Sequence, residues 1–314
     1  MIQETIVKKT SGTKSMLQAG RWGVILSLIF SIILSPVIAH SLPVVDETIS
    51  GDVEVKHPTP TTLQINASDK AIINYKSFDI EANEAVIITL PSSDSEILNR
   101  VMGESATRIS GSLYCNGTLI LINKKGMVFG PNSNIDAASL LASTRNILNS
   151  NFMGSKYVFE KISGEEKDGL LLHQGKITIR EGGFGVLIAG AIENQGVITA
   201  PAGLIALAAG DKVSLNMSNN GYISVAVDKA TAKTMCDYKG NAITSQINNT
   251  GQLRANGGAI QIKAEHLPDV FRSAVNLQGF VKADSVKEEG GRVRFASKGI
   301  LMSKANLPDR PREE

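Results

Sequence analysis

Apolar and polar side chains alternate along many short stretches of the chain. AIQIK (259–263), RVRF (292–295) and AVIITL (85–90) each place their larger apolar residues on one side of an extended backbone. Such period-two runs, bounded by Gly and Asn, predict half-buried β-strands. LILI (119–122) is apolar at every position, which predicts a strand covered on both sides.

The predicted strands recur as repeats. Three nine-residue segments share Ile or Val at the first position, Gly at the fifth and Ala at the ninth: IENQGVITA (192–200), INNTGQLRA (247–255) and VNLQGFVKA (275–283). Each is followed by a corner of small residues and a second strand: AGLIALAAG (202–210), GGAIQIKAE (257–265) and GGRVRFASK (290–298), with GGFGVLIAG (182–190) belonging to the same set. The repeating unit is strand, tight corner, strand.

A unit of this size cannot bury its own apolar side. Stacking successive copies gives each strand a neighbour above and below and creates a shared interior, and the stacked strands run parallel. The pattern therefore predicts an all-β chain that forms a parallel β-helix. In INKKGMVFGPNSN (122–134), Asn123 and Gly126 mark a corner, where both residue types tolerate the backbone conformation of a sharp turn.

Four segments interrupt this pattern. DAASLLASTRNILN (136–149) has apolar residues at helical spacing after an N-cap aspartate, so it fits a helix as well as a strand. Residues 265–272 favour a short helical turn. The polar segment 155–169 predicts an excursion outside the coil, such as a hairpin, and 228–245 predicts another.

The first 41 residues predict a secretory signal peptide rather than part of the fold. Four basic residues precede an apolar run from Val24 to Ala39, and small residues flank His40 as at a cleavage site near Ser41. A membrane anchor is the alternative, but the run is short for the roughly 20 residues that span a bilayer. Residues 301–314 are a polar tail that contains two prolines.

Charge and cysteine content narrow the function classes. The chain carries 32 Lys and Arg against 30 Asp and Glu, and removal of the leader, with its four basic residues and one acidic residue, leaves a charge near −1. The signs are interspersed, so no nucleic-acid partner is predicted. Cys115 and Cys236 could pair in an oxidising compartment. A small buried residue suits the strand around Cys115, and Cys236 fits a free thiol.

No residue cluster indicates catalysis. The mature chain has His57, His173 and His266, none at metal-ligand spacing from a Cys or carboxylate. We expect all three to lie at the surface or at corners. The carboxylate pairs 165–166 and 288–289 fit solvated loops better than acid–base machinery.

The sequence also lacks the features of a β-helix enzyme. Polysaccharide-cleaving β-helices need paired carboxylates on an outward face, but the outward positions of the clearest strands hold other residues: Gln261, Lys263, Arg292 and Arg294. We therefore predict no enzymatic activity and no metal or cofactor. The unpaired edges at the ends of a β-helix instead offer a place where a partner strand can be added.

Motifs in order along the chain give a family resemblance. They read I-N-Y-x-x-F-x-I (73–80), L-N-R-V (98–101), I-x-G-x-L (109–113), N-G-x-x-x-L-I-N (116–123) and G-x-x-F-G (126–130), with a second block at 182–215. In these motifs, residues 42–300 resemble the secretion domain of filamentous haemagglutinin and haemolysin exoproteins, which belong to two-partner secretion systems. Lys124 and Lys125 depart from this family, which has Pro-Asn at the corner.

The resemblance implies fold, partner and location. It implies a right-handed parallel β-helix with an N-terminal cap and extra-helical strands. It also implies recognition by the periplasmic domains of a cognate outer-membrane β-barrel transporter, and delivery to the medium or cell surface of a Gram-negative bacterium. The motif residues that we expect to contribute to partner binding are Asn99, Arg100, Asn116, Gly117, Asn123 and Gly126. The alternatives are a stand-alone adhesin for a cell-surface ligand and a carbohydrate-active enzyme.

Overall fold

Three parallel β-sheet faces wind along the chain and enclose an aliphatic interior. The computed structural model describes residues 41–164, 168–217, 223–283, 292–298 and 301–303, the last two segments by their backbone. The carboxylate pairs 165–166 and 288–289, the side chains of Arg292 and Arg294, nearly all of the predicted leader and most of the polar tail lie outside the described residues.

The strands of each face follow one another at successive levels of the coil. The first face contains β3 (Thr62–Ala67), β5 (Ala85–Thr89), β13 (Lys176–Ile179), β16 (Val197–Thr199), β21 (Gln252–Arg254) and β24 (Phe280–Lys282). The second contains β4 (Ala71–Ser77), β6 (Glu96–Val101), β14 (Phe184–Ala189), β17 (Leu204–Ala209), β22 (Ala259–Glu265) and β25 (Arg292–Lys298). The third contains β7 (Thr107–Ile109), β9 (Met127–Phe129), β12 (Leu170–His173), β15 (Ala191–Asn194), β20 (Ser245–Asn249), β23 (Ser273–Leu277) and β26 (Leu301–Ser303).

Two long strands connect the first two faces. The N-terminal half of β8 (Ser112–Asn123) pairs with β5, and its C-terminal half pairs with β6. β10 (Asn134–Ser143) divides in the same way between β13 and β14. The prediction of a right-handed parallel β-helix is confirmed. The helical alternative for 136–149 is wrong for most of that segment, because β10 has a parallel neighbour on both sides.

An antiparallel cap closes the N-terminal end. β1 (Val44–Ser50) pairs with β4, and β2 (Val53–Thr59) pairs with β3, both antiparallel. The backbone of Ile80 covers the first strand of the third face through hydrogen bonds with Arg108 and Ser110. The N-terminal cap that the resemblance implies is therefore present.

The repeats stack in register, as the shared frame predicts. Ile192, Ile247 and Val275 are direct parallel neighbours on the third face. At the corners that follow, a Cβ on Gly251 would overlap the carbonyl oxygen of Gly196 one level below. The fifth-position glycine is therefore required by the close approach of adjacent coils.

The second face carries apolar residues on both of its sides. Leu119 and Leu121 point into the solenoid interior, while Ile120 and Ile122 point outward, and all four are buried. This confirms the prediction from LILI. The outward residues contact a three-stranded antiparallel sheet of β11 (Tyr157–Glu160), β18 (Lys212–Met217) and β19 (Ile223–Lys229), together with α1 (Asn149–Met153).

This outer sheet refines two predictions. The segment 155–169 does leave the coil, but β11 pairs with the distant β18 instead of forming a hairpin of its own. Gln261 and Lys263 do point away from the interior, yet Gln261 is buried, because its amide bonds the backbone of β19 at Ile223 and Val225. Lys263 donates to the carbonyl oxygen of Val225.

A third, smaller apolar cluster lies against the third face. The excursion at 228–245 brings Met235 over Leu170 and Ala191, next to Phe271. Residues 265–272 end a strand and form a hydrogen-bonded turn instead of a helix. In the described residues, no helix has the length and apolar character needed to cross a membrane.

Candidate functional site

Asn116 and Gly117 form the corner inside β8. The Asn116 side chain holds the backbone of Leu90, since its Oδ1 accepts from the Leu90 N–H and its Nδ2 donates to the Leu90 carbonyl, each at 2.7 Å. A Cβ on Gly117 would meet the carbonyl oxygen of Ser95. The geometry gives both residues a structural role in turning the chain from the first face to the second.

Asn123 and Gly126 form the next corner. Asn123 is buried, and its Nδ2 donates to the Ser105 carbonyl and to Thr107 Oγ1, both at 3.0 Å. Its Oδ1 accepts from the Lys125 N–H at 2.9 Å. Gly126 has φ +110° and donates to the Asn123 carbonyl. The turn is thus fixed by one asparagine and one glycine, with lysines where the family has Pro-Asn.

Asn99 and Arg100 are neighbours in β6 and point to opposite sides of the sheet. Asn99 lies in the interior and accepts a hydrogen bond of 2.8 Å from the hydroxyl of Tyr75. Arg100 points outward, where its Nε donates to Asn146 Oδ1 and its Nη2 to the Ile147 carbonyl, both at 2.8 Å. Burial lowers the pKa of Arg100 from its usual value.

Arg100 lies in a groove of about 470 Å³. We call this groove and its lining the Arg100 groove. It forms where the outer sheet ends, between β6, the NKKG corner and the start of α1, and its lining residues are Asn74, Arg100, Val101, Met102, Ile122, Lys124, Asn146, Ile147, Leu148, Asn149, Ser150 and Ile162. The fold therefore brings Arg100 and the Asn123 corner together at one surface.

The Arg100 groove offers exposed apolar surface beside a guanidinium group. Met102, Leu148 and Ile162 line it and are 49%, 63% and 41% exposed, so apolar surface is available to a partner. Its lining contains two cations and no carboxylate, imidazole or thiol. Among the described residues, no cluster of three or more His, Cys, Asp or Glu side chains could hold a metal.

The histidines and cysteines lie elsewhere. The histidines were expected at the surface or at corners, and His173 is not at the surface. It is buried at the end of β12, with Nδ1 at 2.6 Å from Asn194 Oδ1. Burial lowers the pKa of His173 to about 4. Cys115 is buried and Cys236 is exposed, and both are free. Burial raises the pKa of the Cys115 thiol to about 11.

A family comparison decides the class of this domain. The model of the TPS secretion domain matches residues 44–306. The chain belongs to the TPS secretion domain family. TPS secretion domains are parts of exoproteins that are secreted across the outer membrane of Gram-negative bacteria.

Individual relatives come from Haemophilus influenzae. This secretion domain is 28% identical over 262 residues to a heme/hemopexin-binding protein of strain KW20/Rd, covering 82% of this chain and 26% of that protein. A second heme/hemopexin-binding protein is 27% identical over 286 residues, covering 83% and 29%. The chain thus spans about a quarter of the length of these curated relatives, which are not enzymes by name.

Two solved structures match this chain. The HMW1 secretion domain from Haemophilus influenzae superposes with a TM-score of 0.69 at 26% identity, covering 82% of this chain and 64% of that chain. A filamentous hemagglutinin secretion domain gives a TM-score of 0.47 at 15% identity, covering 85% and 100%. The resemblance stated from the sequence is confirmed at the level of the family.

Proposed function

We propose that this secretion domain is recognised by the periplasmic domains of a cognate outer-membrane β-barrel transporter, and that the Arg100 groove is the contact surface. Family membership supports the class of partner. The observation that carries the proposal is the combination of exposed apolar residues with a guanidinium group in one groove.

The chemistry of the groove indicates what it binds. Arginine has five N–H donors in a fixed plane. Among the described residues, Arg100 uses three of them, on Asn146, Ile147 and, at 3.5 Å, Asn74. The remaining donors fit a carboxylate or a backbone carbonyl of an extended segment whose apolar side chains pack against Met102 and Leu148. We therefore expect an apolar segment with an acidic residue.

The position of the groove along the chain is compatible with recognition during transport. All of its lining residues lie between 74 and 162 of the 314 residues. In a solenoid each coil contacts only its neighbours, so the first coils can fold without the later ones. We infer that the N-terminal coils present the groove while the following part of the exoprotein is still unfolded.

A binding experiment tests this site. Purified chain and the isolated periplasmic domains of the transporter encoded with it are mixed, and Kd is measured for wild type and for M102S/L148S. Loss of two partly exposed apolar side chains from a contact costs about 2 kcal/mol, or roughly 30-fold in Kd. Secretion into the culture medium is measured on co-expression with the same transporter.

The matched control is M217S/L267S. Met217 and Leu267 are 39% and 48% exposed and lie outside the groove, so both binding and secretion should remain as in wild type. If the two double variants bind equally well, the groove is not the contact surface. If the wild-type chain binds no transporter domain at all, the function itself is overturned.

The other functions have less support. The adhesin hypothesis requires a ligand-binding face distinct from the groove. A carbohydrate-active enzyme requires paired carboxylates, and the groove has none. The ligand in the names of the two Haemophilus relatives is not assigned to this chain, because most of their length lies outside the matched region.

A further inference from the structure

The chain enters the fold beside a buried carboxylate. Glu84 ends the turn between Ile80 and β5 and is 2% exposed. Its Oε1 accepts a hydrogen bond of 2.9 Å from the backbone N–H of Ser41, and its Oε2 accepts one of 2.8 Å from the N–H of Glu81. The Ser41 hydroxyl also donates to Oε2 at 3.4 Å. One oxygen of the carboxylate therefore contacts the Ser41 backbone, and the other also holds the turn.

Ser41 lies where the packed part of the chain begins. The next residue, Leu42, is 8% exposed and belongs to the aliphatic interior, and Val44 begins β1. Ser41 itself is partly exposed. The predicted cleavage site lies near this residue, so the contact with Glu84 marks the boundary between the predicted leader and the solenoid.

Removal of the leader would change the chemistry of the donor at Ser41. In the precursor, this nitrogen belongs to a neutral peptide group with one N–H. Hydrolysis of the bond that precedes it consumes one water molecule, leaves a carboxylate on the leader and gives the mature chain an amino group. Such a group has a pKa of about 7.7–8.0 and is mostly protonated at pH 7. It then offers three N–H donors and a positive charge.

The exact bond that is cleaved changes this picture little. Consecutive Cα atoms are about 3.8 Å apart, so a new terminus at residue 40, 41 or 42 keeps the charge close to the same carboxylate. Charge-assisted hydrogen bonds are roughly twice as strong as those between neutral groups. The contact should therefore be stronger in the processed chain than in the precursor.

The charged groups around the turn favour a cation at this place. The carboxylates of Asp79 and Glu81 lie close to Glu84, and the Arg108 N–H donates to Asp79 at 2.7 Å. Burial raises the pKa of Asp79, the N–H and charge of Arg108 oppose this rise, and the charges of Glu81 and Glu84 add to it. A buried carboxylate is costly unless it is paired and hydrogen-bonded. An ammonium group at Ser41 would provide Glu84 with both.

We propose that Glu84 binds the α-ammonium group that removal of the leader creates, and that this ion pair completes the N-terminal cap. The ligand is the new terminus of the same chain. Processing then stabilises the first coil, on which the later coils stack. Glu84 does not line the Arg100 groove, so this site is independent of the proposed transporter contact.

A comparison of two chain termini tests the proposal. One form of the chain is released from a fusion partner so that it begins at Ser41, and the other keeps two glycines before Ser41, which move the ammonium group away. Both forms are prepared as wild type, E84Q and E81Q. E81Q is the matched control, because it neutralises an exposed carboxylate in the same turn.

Urea unfolding at pH 7 measures the effect of the extension. We expect the two glycines to raise the unfolding equilibrium constant of wild type and E81Q by about tenfold, which corresponds to a shift of one pKa unit, and to leave that of E84Q unchanged. In the form that begins at Ser41, the ion pair raises the pKa of the α-amino group. Its contribution is therefore complete below about pH 8 and is lost as the pH rises through the raised pKa.

Several results would overturn the proposal. They are an equal effect of the extension in wild type and E84Q, the same loss of the effect in E81Q as in E84Q, and a secreted chain whose terminus, determined by mass spectrometry, lies outside residues 40–42. If E84Q does not fold, the pKa of the α-amino group in wild type decides, measured by NMR after reductive methylation with a 13C label. A value near 9 supports the ion pair, and a value at or below about 8 overturns it.

Discussion

A buried polar row inside the third face connects three levels of the coil. His173, Asn194 and Asn249 occupy equivalent positions in β12, β15 and β20. Asn194 Nδ2 donates to Asn249 Oδ1 at 2.5 Å, and Asn194 Oδ1 contacts His173 Nδ1. Buried side-chain amides and imidazoles are costly unless they are paired. This row therefore fixes the register of the coils as well as their packing.

The neutral form of His173 makes stability depend on pH. Its pKa is about 4 in the folded chain and about 6.5 when unfolded. Between these pH values His173 binds more protons in the unfolded state than in the folded state. The free energy of unfolding therefore has its full value above pH 6.5 and decreases as the pH falls toward 4. H173N places an amide in the row that does not titrate. We expect it to reduce the loss of unfolding free energy between pH 7 and 4 by about 3 kcal/mol.

Urea unfolding at several pH values between 7 and 4 measures this effect. H57N is the control, because His57 is exposed and its replacement should leave the profile unchanged. Parallel profiles for wild type and H173N would show that His173 does not determine the acid sensitivity.

At the scale of the element, β8 contributes to two cores at once. Leu119 and Leu121 belong to the solenoid interior, and Ile120 and Ile122 belong to the layer under the outer sheet. The strand therefore tolerates no charge in its C-terminal half, whereas its N-terminal half has outward residues on the exposed first face.

We expect L119D or L121D to prevent secretion. An aspartate in the interior introduces an unpaired buried charge, so the coils cannot close and the chain should accumulate in the periplasm. S112D places the same charge in the same strand at an exposed position and should be secreted normally. Immunoblots of medium and periplasm, with the transporter co-expressed, make the comparison. Normal export of L119D would contradict a need for coil formation.

The sequence predicted the strands of the solenoid better than the pairing of the outer-sheet strands. Alternation, apolar LILI and glycine corners are local signals, and each was confirmed. The helical alternative for 136–149 arose because Ala and Leu favour helices. Two parallel neighbouring strands instead impose a strand on most of this segment. The pairing of β11 with β18 could not be foreseen, since 51 residues separate their closest register partners, Glu160 and Lys212, and neither strand signals its partner.

The candidate sites were only partly predictable for the same reason. Arg100 and the Asn123 corner were found as motifs, but nothing local indicated that Leu148 and Ile162 would complete a groove. The leader pattern placed the cleavage site near Ser41, but nothing local indicated that Glu84, 43 residues further along the chain, would contact it.

At the scale of the whole molecule, a buried ionic network joins the solenoid to its outer layers. Arg145 is 1% exposed and donates to the Asp168 carboxylate, to Asp211 Oδ1 at 3.1 Å and to the Gly210 carbonyl at 2.8 Å. Lys161 Nζ also pairs with Asp168 at 2.9 Å. Arg145 and Lys161 hold the pKa of Asp168 below its usual value against the opposing effect of burial.

Removal of Arg145 should therefore cost far more than removal of a surface ion pair. R145M leaves Asp168 and Asp211 without their main cation, and breaking a buried pair costs about 3–5 kcal/mol. A double-mutant cycle with D168N, measured by urea unfolding, isolates the pairwise term. The exposed pair Lys56–Glu54 provides the reference cycle, in which we expect no measurable coupling. A similar coupling in both cycles would refute the assignment.

The antiparallel strands at the N-terminal end give the solenoid a direction. Because β1 and β2 lie antiparallel along the edges of β4 and β3, another copy of the chain cannot continue the parallel stack from that side. Growth of the stack is possible only away from the cap. A polypeptide that emerges N-terminus first can then add each new coil to the coils that have already folded. Parallel end-to-end stacking of exported molecules is blocked at the capped end.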